Sequence, residues 1–581
     1  MKGSAVIGLL QDEADMRTSH ERSSEHYGVY ATEILEHAGL TFTVLSRDDL
    51  SRGNLPPLVV LPYRLRLTAE ESASMRRHAE EGGTVLAVGG VEGADDLFGV
   101  KTSRRHLNDG ALHWPEGGLG LEPLGAPTWG GQLASVAEDA DGIEVVLGEL
   151  NAGDESTGPA LVLRKVGRGV VCFLAVDVPR SVVTLQQGVP VLGDASSAPD
   201  GSAELEDSIL KADDGAVIPW EFREQGPEGP AFLTPYGDLL RELMITALLE
   251  CAQRTGTLLP MRWNWPNALP AVATLSYDTD SNEDPDGRKF LGVVRDLGVH
   301  GTWCVMYPGG YERGTYDAIR DYGDEIALHF DGLTTDLNGA PNCTWSRADF
   351  DHQHTWLMSE TGAGKVISQK NHVTRWEGWV EFFRWVEASG IRVDQSKGPS
   401  KIGNLGFNFG TCQIWRPMED ALHGNRLLDV FELTFHTHDM HHSERRVALR
   451  REVLRAAKRV AGVAHFIFHP QRIHEQGQPE AIADIVAYGR ELGVEWWTSE
   501  RIWRWHTARR LADVGVERDG DDLVITVADA PEGLTLLLFG LDNGLTHDGQ
   551  ALETVHVHGR SAHRIVTPSG ATEVRLSRRR S

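Results

Sequence analysis

The stretch 271–280, AVATLSYDTD, constrains this chain more than any other. It reads as a buried strand that stops at two carboxylates one residue apart, Asp278 and Asp280. Folds built of parallel strands gather their chemistry at the strands' carboxyl ends. Side chains alternate along a strand, so both carboxylates point into one pocket. Two such groups repel unless a cation or a shared proton holds them. The plainer alternative is a strand-end pair that caps the next helix or meets solvent.

The sequence after this strand keeps alternating. Strand patterns at 302–307, 325–330, 391–396, 413–417, 430–436, 465–470 and 494–498 are interleaved with helical patterns. The helices fall at 287–298, around 316–322 and 376–388, and at 443–461, 479–493 and 499–510. About seven β/α units predict a deformed (β/α)7 barrel over 265–510. Before it, strands at 5–10, 42–46, 58–62 and 84–90 alternate with a helix near 24–37 and another opened by a Thr68/Glu71 capping box. This predicts a parallel sheet with flanking helices over 1–257. The pattern turns strand-rich from about 123. Residues 190–230, rich in Gly, Ala, Asp and Ser, read as a long surface loop. A helix near 236–254 and a Pro- and Trp-containing connector at 258–270 follow. Short alternating strands over 511–581 predict a small β-sandwich. The fold class is α/β.

Composition sets the outer bounds. The 581 residues carry a net charge of −28, which argues against a nucleic-acid or anionic-membrane partner, the terminal Arg578, Arg579 and Arg580 aside. The five cysteines include no CxxC pair, fitting buried thiols in a reducing compartment. The first apolar run is short for a signal peptide, and no stretch reaches the length of a membrane span. The expected location is cytoplasmic.

Histidine is the informative residue type. Of 24 in the chain, His329 and His469 end strands and should share a mouth with Asp278 and Asp280. Asp and His together suit zinc or another divalent ion, which would also relieve the carboxylate repulsion.

On TLSYDTD, EIALHFDGL and HFIFHP, residues 265–510 resemble the polysaccharide deacetylase (NodB-homology) family. The resemblance implies that Asp278 is the general base, that Asp280 and His329 are metal ligands, and that His469 is the general acid. Leu333 stands where the family has a second histidine ligand, so the third ligand must come from elsewhere. His372, in QKNHVTRW, is the leading candidate if a loop returns it to the mouth; otherwise it is a helix-start histidine facing solvent. His352, His354, His436 and His438 are further suppliers. Arg375 resembles the arginine of the family's third motif. Asp394 is expected to orient a catalytic partner, and Trp376, among Trp345, Trp356, Trp379 and Trp415, to contact sugar or to pack in the core.

The function this implies is a hydrolase dependent on a divalent metal, zinc foremost, that removes an N-acyl group, acetyl foremost, from an amino sugar or related amide. Two alternatives stay open. One is a carbohydrate-binding or regulatory protein with a degenerate site. The other is a glycoside hydrolase with Glu325 or Asp439 as second acid. Residues 1–257 resemble the class I amidotransferase-like fold in the non-catalytic form found in the β-galactosidase trimerisation domain. Its nucleophile turn corresponds to 89–93, GGVEG, with no cysteine. Packing, assembly into a homo-oligomer or control of access to the barrel are the implied roles.

Overall fold

The computed structural model describes residues 5–104, 107–153, 157–226, 229–333, 343–401, 403–439, 446–520, 522–541 and 544–578. The chain is a mixed α/β protein whose larger sheets form three assemblies.

The first is a nine-stranded sheet. Its spatial order is Phe42–Leu45, Ile7–Leu10, Leu58–Leu61, Thr84–Val88, Gly169–Leu174, Thr157–Val166, Ile143–Asn151, Gly110–Trp114 and Leu124–Thr128. The first five run parallel, in register Ile7 to Leu58 and Val85 to Val171. The last four are antiparallel, so the sheet is mixed where a parallel one was predicted. The cause is local. Only Gly167 and Arg168 join Val166 to Gly169, and a two-residue turn can make a hairpin but never a crossover. Gly167 sits at φ 58°, in the left-handed region such a turn uses. The Thr68/Glu71 capping box is present at the head of helix Ala69–Glu80. The helix expected near 24–37 is instead a 3-10 turn, Tyr27–Tyr30, running into helix Ala31–His37. A separate helix, Glu13–Glu21, is capped by Asp12. Helix Tyr236–Thr255 lies almost wholly buried beneath the sheet.

The second assembly is the deformed barrel. Its parallel strands run in the order Phe431–Glu432, Val393–Asp394, Ser368–Asn371, Glu325–Phe330, Thr302–Met306, Val272–Thr279 and Val463–Phe468. Glu495–Trp496 pairs with the start of Val272–Thr279. Thr437 bridges Phe466 in parallel, so the chain leaving Glu432 meets the opposite edge. Residues 413–417 are not a barrel strand; Trp415 pairs antiparallel with Glu432, the wrong direction for this sheet. The helix expected from 376 begins only at Glu381, because Gly378 is left-handed and the Glu381 carboxylate accepts from the Trp379 and Val380 N–H groups.

The third assembly is a pair of antiparallel sheets of four and five strands around Leu523, Ile525, Leu536, Leu538 and Leu576. The supposed connector contributes to it: Leu259–Arg262 pairs antiparallel with Thr535–Phe539. All five cysteines are buried and none forms a disulfide. Among the described residues, no helix is long and apolar enough to cross a membrane.

The segment at 190–230 is not a free surface loop. Val191 and Gly378 exchange backbone hydrogen bonds, and Lys211 bridges Arg375. Lys401 of the barrel side reaches Asp214 at 2.7 Å and Asp194 at 2.9 Å, while Asp213 accepts from the Ser400 and Lys401 N–H groups. These ion pairs carry the segment to the barrel's mouth, where Lys211 lines a cavity.

Candidate active site

A cavity of about 490 Å³ opens at the carboxyl ends of the barrel strands. Asp278 and Asp280 reach it from strand Val272–Thr279 and the residue after it, His329 from strand Glu325–Phe330, and His469 from just past strand Val463–Phe468. His372 follows the short strand Ser368–Asn371 in a 3-10 turn. The next two residues, Val373 (φ 46°) and Thr374 (φ 52°), are β-branched yet left-handed, a backbone state that costs free energy and is held by its surroundings. This turn keeps His372 buried at the cavity wall rather than in solvent.

The polar atoms converge on Asp280. Its Oδ1 lies 3.2 Å from His329 Nε2 and 4.0 Å from His372 Nε2, and its Oδ2 lies 3.7 Å from His469 Nε2. In each imidazole the other nitrogen is engaged by an acceptor. Nδ1 of His329 faces the Lys370 carbonyl at 3.2 Å, that of His372 faces Asp331 Oδ1 at 3.3 Å, and that of His469 faces Asp439 Oδ1 at 2.5 Å. In His329 and His372 such acceptors fix the proton on Nδ1 and turn the Nε2 lone pair inward, the arrangement that orients metal-ligating histidines.

Asp280 Oδ1 is buried and has no hydrogen bond among the described residues, although His329 Nε2 is 3.2 Å away. A buried acceptor surrounded by nitrogen lone pairs is unfavourable until a cation or protons arrive. Asp280, His329 and His372 therefore fit a divalent ion by donor type and burial, with Asp280 Oδ1 within 4.0 Å of both imidazole Nε2 atoms. Without one, the carboxylates draw protons onto His372 and His469. Burial raises the Asp280 carboxyl, but His469, His329 and His372 outweigh it and hold it far below the usual carboxylate range. Burial lowers His469, yet Asp439 and Asp280 prevail and push it up to about 9. His372 is raised in the same way by Asp331 and Asp280 against its burial.

Asp278 stands beside this group. Its Oδ1 accepts from Lys370 Nζ at 3.2 Å, and its Oδ2 is 4.0 Å from His329 Nε2. Lys370 is fully buried and also donates to the Ser276 hydroxyl.

No protein-family model matches the chain, and no curated protein matches it by sequence. Among solved structures it is similar to Agd3, described as a novel carbohydrate deacetylase, over 99% of both chains, with 9% identity and a TM-score of 0.41. It is similar to a putative polysaccharide deacetylase from Mycobacterium smegmatis over 44% of this chain and 96% of that one, at 16% identity and a TM-score of 0.32. A β-galactosidase from Rahnella sp. R3 matches 30% of this chain, with 29% of its own length covered, at 15% identity and a TM-score of 0.24. Likeness at these scores carries no argument about chemistry, which rests on the side chains.

Three expected site residues lie elsewhere. Arg375 turns away from the cavity, donating to the Leu210 carbonyl at 3.4 Å and to Glu377. The place beside Asp278 is taken by Lys370. Trp376 is fully buried against Phe382, Phe383 and the Lys397 ammonium, so it packs rather than faces substrate. Asp394 is fully buried and hydrogen-bonded to Ser396 and Gln369, where burial pushes it up to about 6. Glu325 sits at the amino end of its strand, bonded to Ser368, Thr302 and the Glu500 N–H. Of the alternative histidines, His438 lines the cavity, His436 is buried against Phe407 and the Thr411 carbonyl, and His352 packs on Tyr307. Away from the cavity, Glu419, Asp420 and His423 bring ligand atoms within 4.8 Å of one another, but Arg384 already bridges the two carboxylates.

Lys370, Asp331 and Asp439 in its orienting place were not expected. Asp331 is itself fixed, accepting from the Leu333 N–H at 3.1 Å while its own N–H donates to Gln353. Asp439 accepts the His469 N–H at 2.9 Å.

Proposed function

We propose that this chain is a metal-dependent hydrolase that removes an N-acyl group, acetyl foremost, from an amino sugar or a related amide. The observation that carries the reading is the buried Asp280 Oδ1, left without a donor amid inward-facing Nε2 atoms whose Nδ1 partners are already engaged. Asp280, His329 and His372 would hold the ion. A divalent ion bound there lowers the pKa of a water and polarises the amide carbonyl.

The remaining roles belong to the chain's own groups. Asp278, anchored at Oδ1 by Lys370, keeps Oδ2 toward the same point and accepts the proton from the attacking water. His469, held at Nδ1 by Asp439, donates a proton from Nε2 to the leaving amine. Water and amide thus become carboxylic acid and amine, with one proton taken by Asp278 and one returned by His469. The sugar assignment rests on the sequence resemblance, and a cavity lined by Lys211, Ser400, Gln471, Arg472 and Phe435 suits a hydroxyl-rich ring.

The test is acetate release from a panel of N-acetylhexosamine monomers and oligomers, with metal content measured on the same sample. Release that chelator abolishes and added zinc restores is the expected result. A protein that binds no metal at saturating zinc overturns the hydrolase. One that binds zinc stoichiometrically yet frees acetate from none of the panel overturns the substrate class.

A further inference from the structure

A second cavity, of about 360 Å³, lies away from the barrel mouth where the three assemblies meet. Its walls come from helix Ala31–His37, helix Tyr236–Thr255, strand Leu259–Arg262, the end of helix Arg446–Arg459 and the turn at 556–559. Arg241 lines it with only 6% of its surface exposed, and none of its three guanidinium nitrogens has a hydrogen-bond acceptor among the described residues.

The carboxylates around this guanidinium are spoken for. Asp238 accepts from the Thr411 hydroxyl at 2.6 Å and the Cys412 N–H at 2.8 Å. Glu33 accepts from Arg510 and Arg416. Glu242 faces His558 at 3.0 Å. Across the cavity, Gln413 gives its N–H to the Val460 carbonyl at 2.6 Å, while its Oε1 is buried without a donor. The rest of the wall includes Ile34, Ile245 and Met261. A buried guanidinium without an acceptor is costly, and its planar fork matches carboxylate and phosphate oxygens. Glu33 and Asp238 attract the guanidinium through space but fill none of its N–H positions, and apolar walls gain nothing from water there.

We propose that this cavity binds a small organic oxyanion, a carboxylate or phosphate, with the acidic group on the Arg241 guanidinium and the apolar body on Ile34, Ile245 and Met261. Because the walls come from all three assemblies, such a ligand ties them together and raises the unfolding temperature of the whole chain. The site is independent of the hydrolase chemistry, and its test does not read turnover.

The full chain is melted in increasing sodium butyrate or sodium phosphate, each against sodium chloride at equal ionic strength. The expected result is a saturable rise in Tm of about 2–3 °C with at least one of the two anions. The rise is absent in Arg241→Met. Butyrate alone or phosphate alone distinguishes the two acid types. No rise beyond chloride with either anion, or an equal rise in Arg241→Met, overturns the proposal. Should Arg241→Met fail to fold, wild-type crystals soaked in selenate decide: an anomalous peak against the Arg241 guanidinium supports the site, and its absence overturns it.

Discussion

Two buried carboxylates in this molecule carry the same charge and do opposite things. Glu33, on helix Ala31–His37, is fully buried, and its oxygens accept from Arg510 at 2.7 Å twice and from Arg416 at 2.8 Å. Those arginines come from the last barrel helix and from the stretch beside strand Phe431–Glu432, so Glu33 fastens the first assembly to the second. Asp280 leaves 12% of its side chain exposed; its Oδ2 accepts from Gln471 at 3.2 Å, yet its buried Oδ1 has no donor and faces imidazole nitrogens held in place from behind. Burial raises the carboxyl pKa in both; arginines outweigh it in one and imidazoles in the other. A buried charge whose donors are already matched is a joint. A buried charge with one oxygen that has no donor, as at Asp280 Oδ1, is incomplete, and that incompleteness marks a site.

Removing each carboxylate should therefore break different properties. Asp280→Ala should lose stoichiometric zinc and lower kcat/KM about 10⁴-fold, since the ion supplies several kcal/mol of transition-state stabilisation. Metal analysis beside acetate release checks this, and retained turnover refutes the assignment. Asp278→Asn should keep zinc and lose about 10³ in kcat, the range of a positioned proton acceptor. Loss of zinc instead would exchange the two roles.

Glu33→Gln should do the reverse. It leaves Arg510 and Arg416 under-compensated in a buried joint, a loss of about 3–4 kcal/mol in stability, while zinc content and kcat hold. Denaturant unfolding of both proteins measures it. The pH dependence sharpens the point. Burial raises the Glu33 carboxyl, but Arg510 and Arg416 pull it from 4.5 to about 2 in the folded chain. Its contribution is then fully present above the unfolded value and is lost as pH falls through about 2, a span worth about 3 kcal/mol. That share of the acid limb should vanish in Glu33→Gln; an unchanged acid limb would mean that Glu33 is no joint.

The contrast also explains what could be read from sequence. Asp278, Asp280, His329 and His469 were legible because each closes an apolar run, and strand periodicity then fixes both the mouth and the face. Lys370 was not, because its strand is the four polar residues SQKN, whose inward face carries chemistry and no apolar period. The same silence left His372 one candidate among several, and its arrival depends on two left-handed β-branched residues that no local preference favours. Arg375 was carried over from a family motif, but the charge beside Asp278 comes from a lysine five residues earlier. At 190–230 composition suggested a loop, and the ion pairs to Lys401 that seat it are long-range partners a local window cannot show. The mixed first sheet was announced only by the short Gly167 turn.

The smallest expected effect probes the comparison most finely, because it leaves both carboxylates in place. Asp331 touches neither Glu33 nor Asp280 in any described hydrogen bond; it accepts at His372 Nδ1, and its own carboxylate is fixed by the Leu333 N–H. If His372 is a ligand oriented from behind, Asp331→Asn should weaken zinc affinity about 10–100-fold while zinc-saturated kcat stays close to wild type. The amide can still accept at one oxygen, so the ring keeps its place but loses basicity. A chelator competition titration reads the affinity directly. Wild-type affinity in Asp331→Asn would leave His372 as a wall residue, and Asp280 and His329 would then need a third ligand from among the other groups at the cavity, His469 and His438 first.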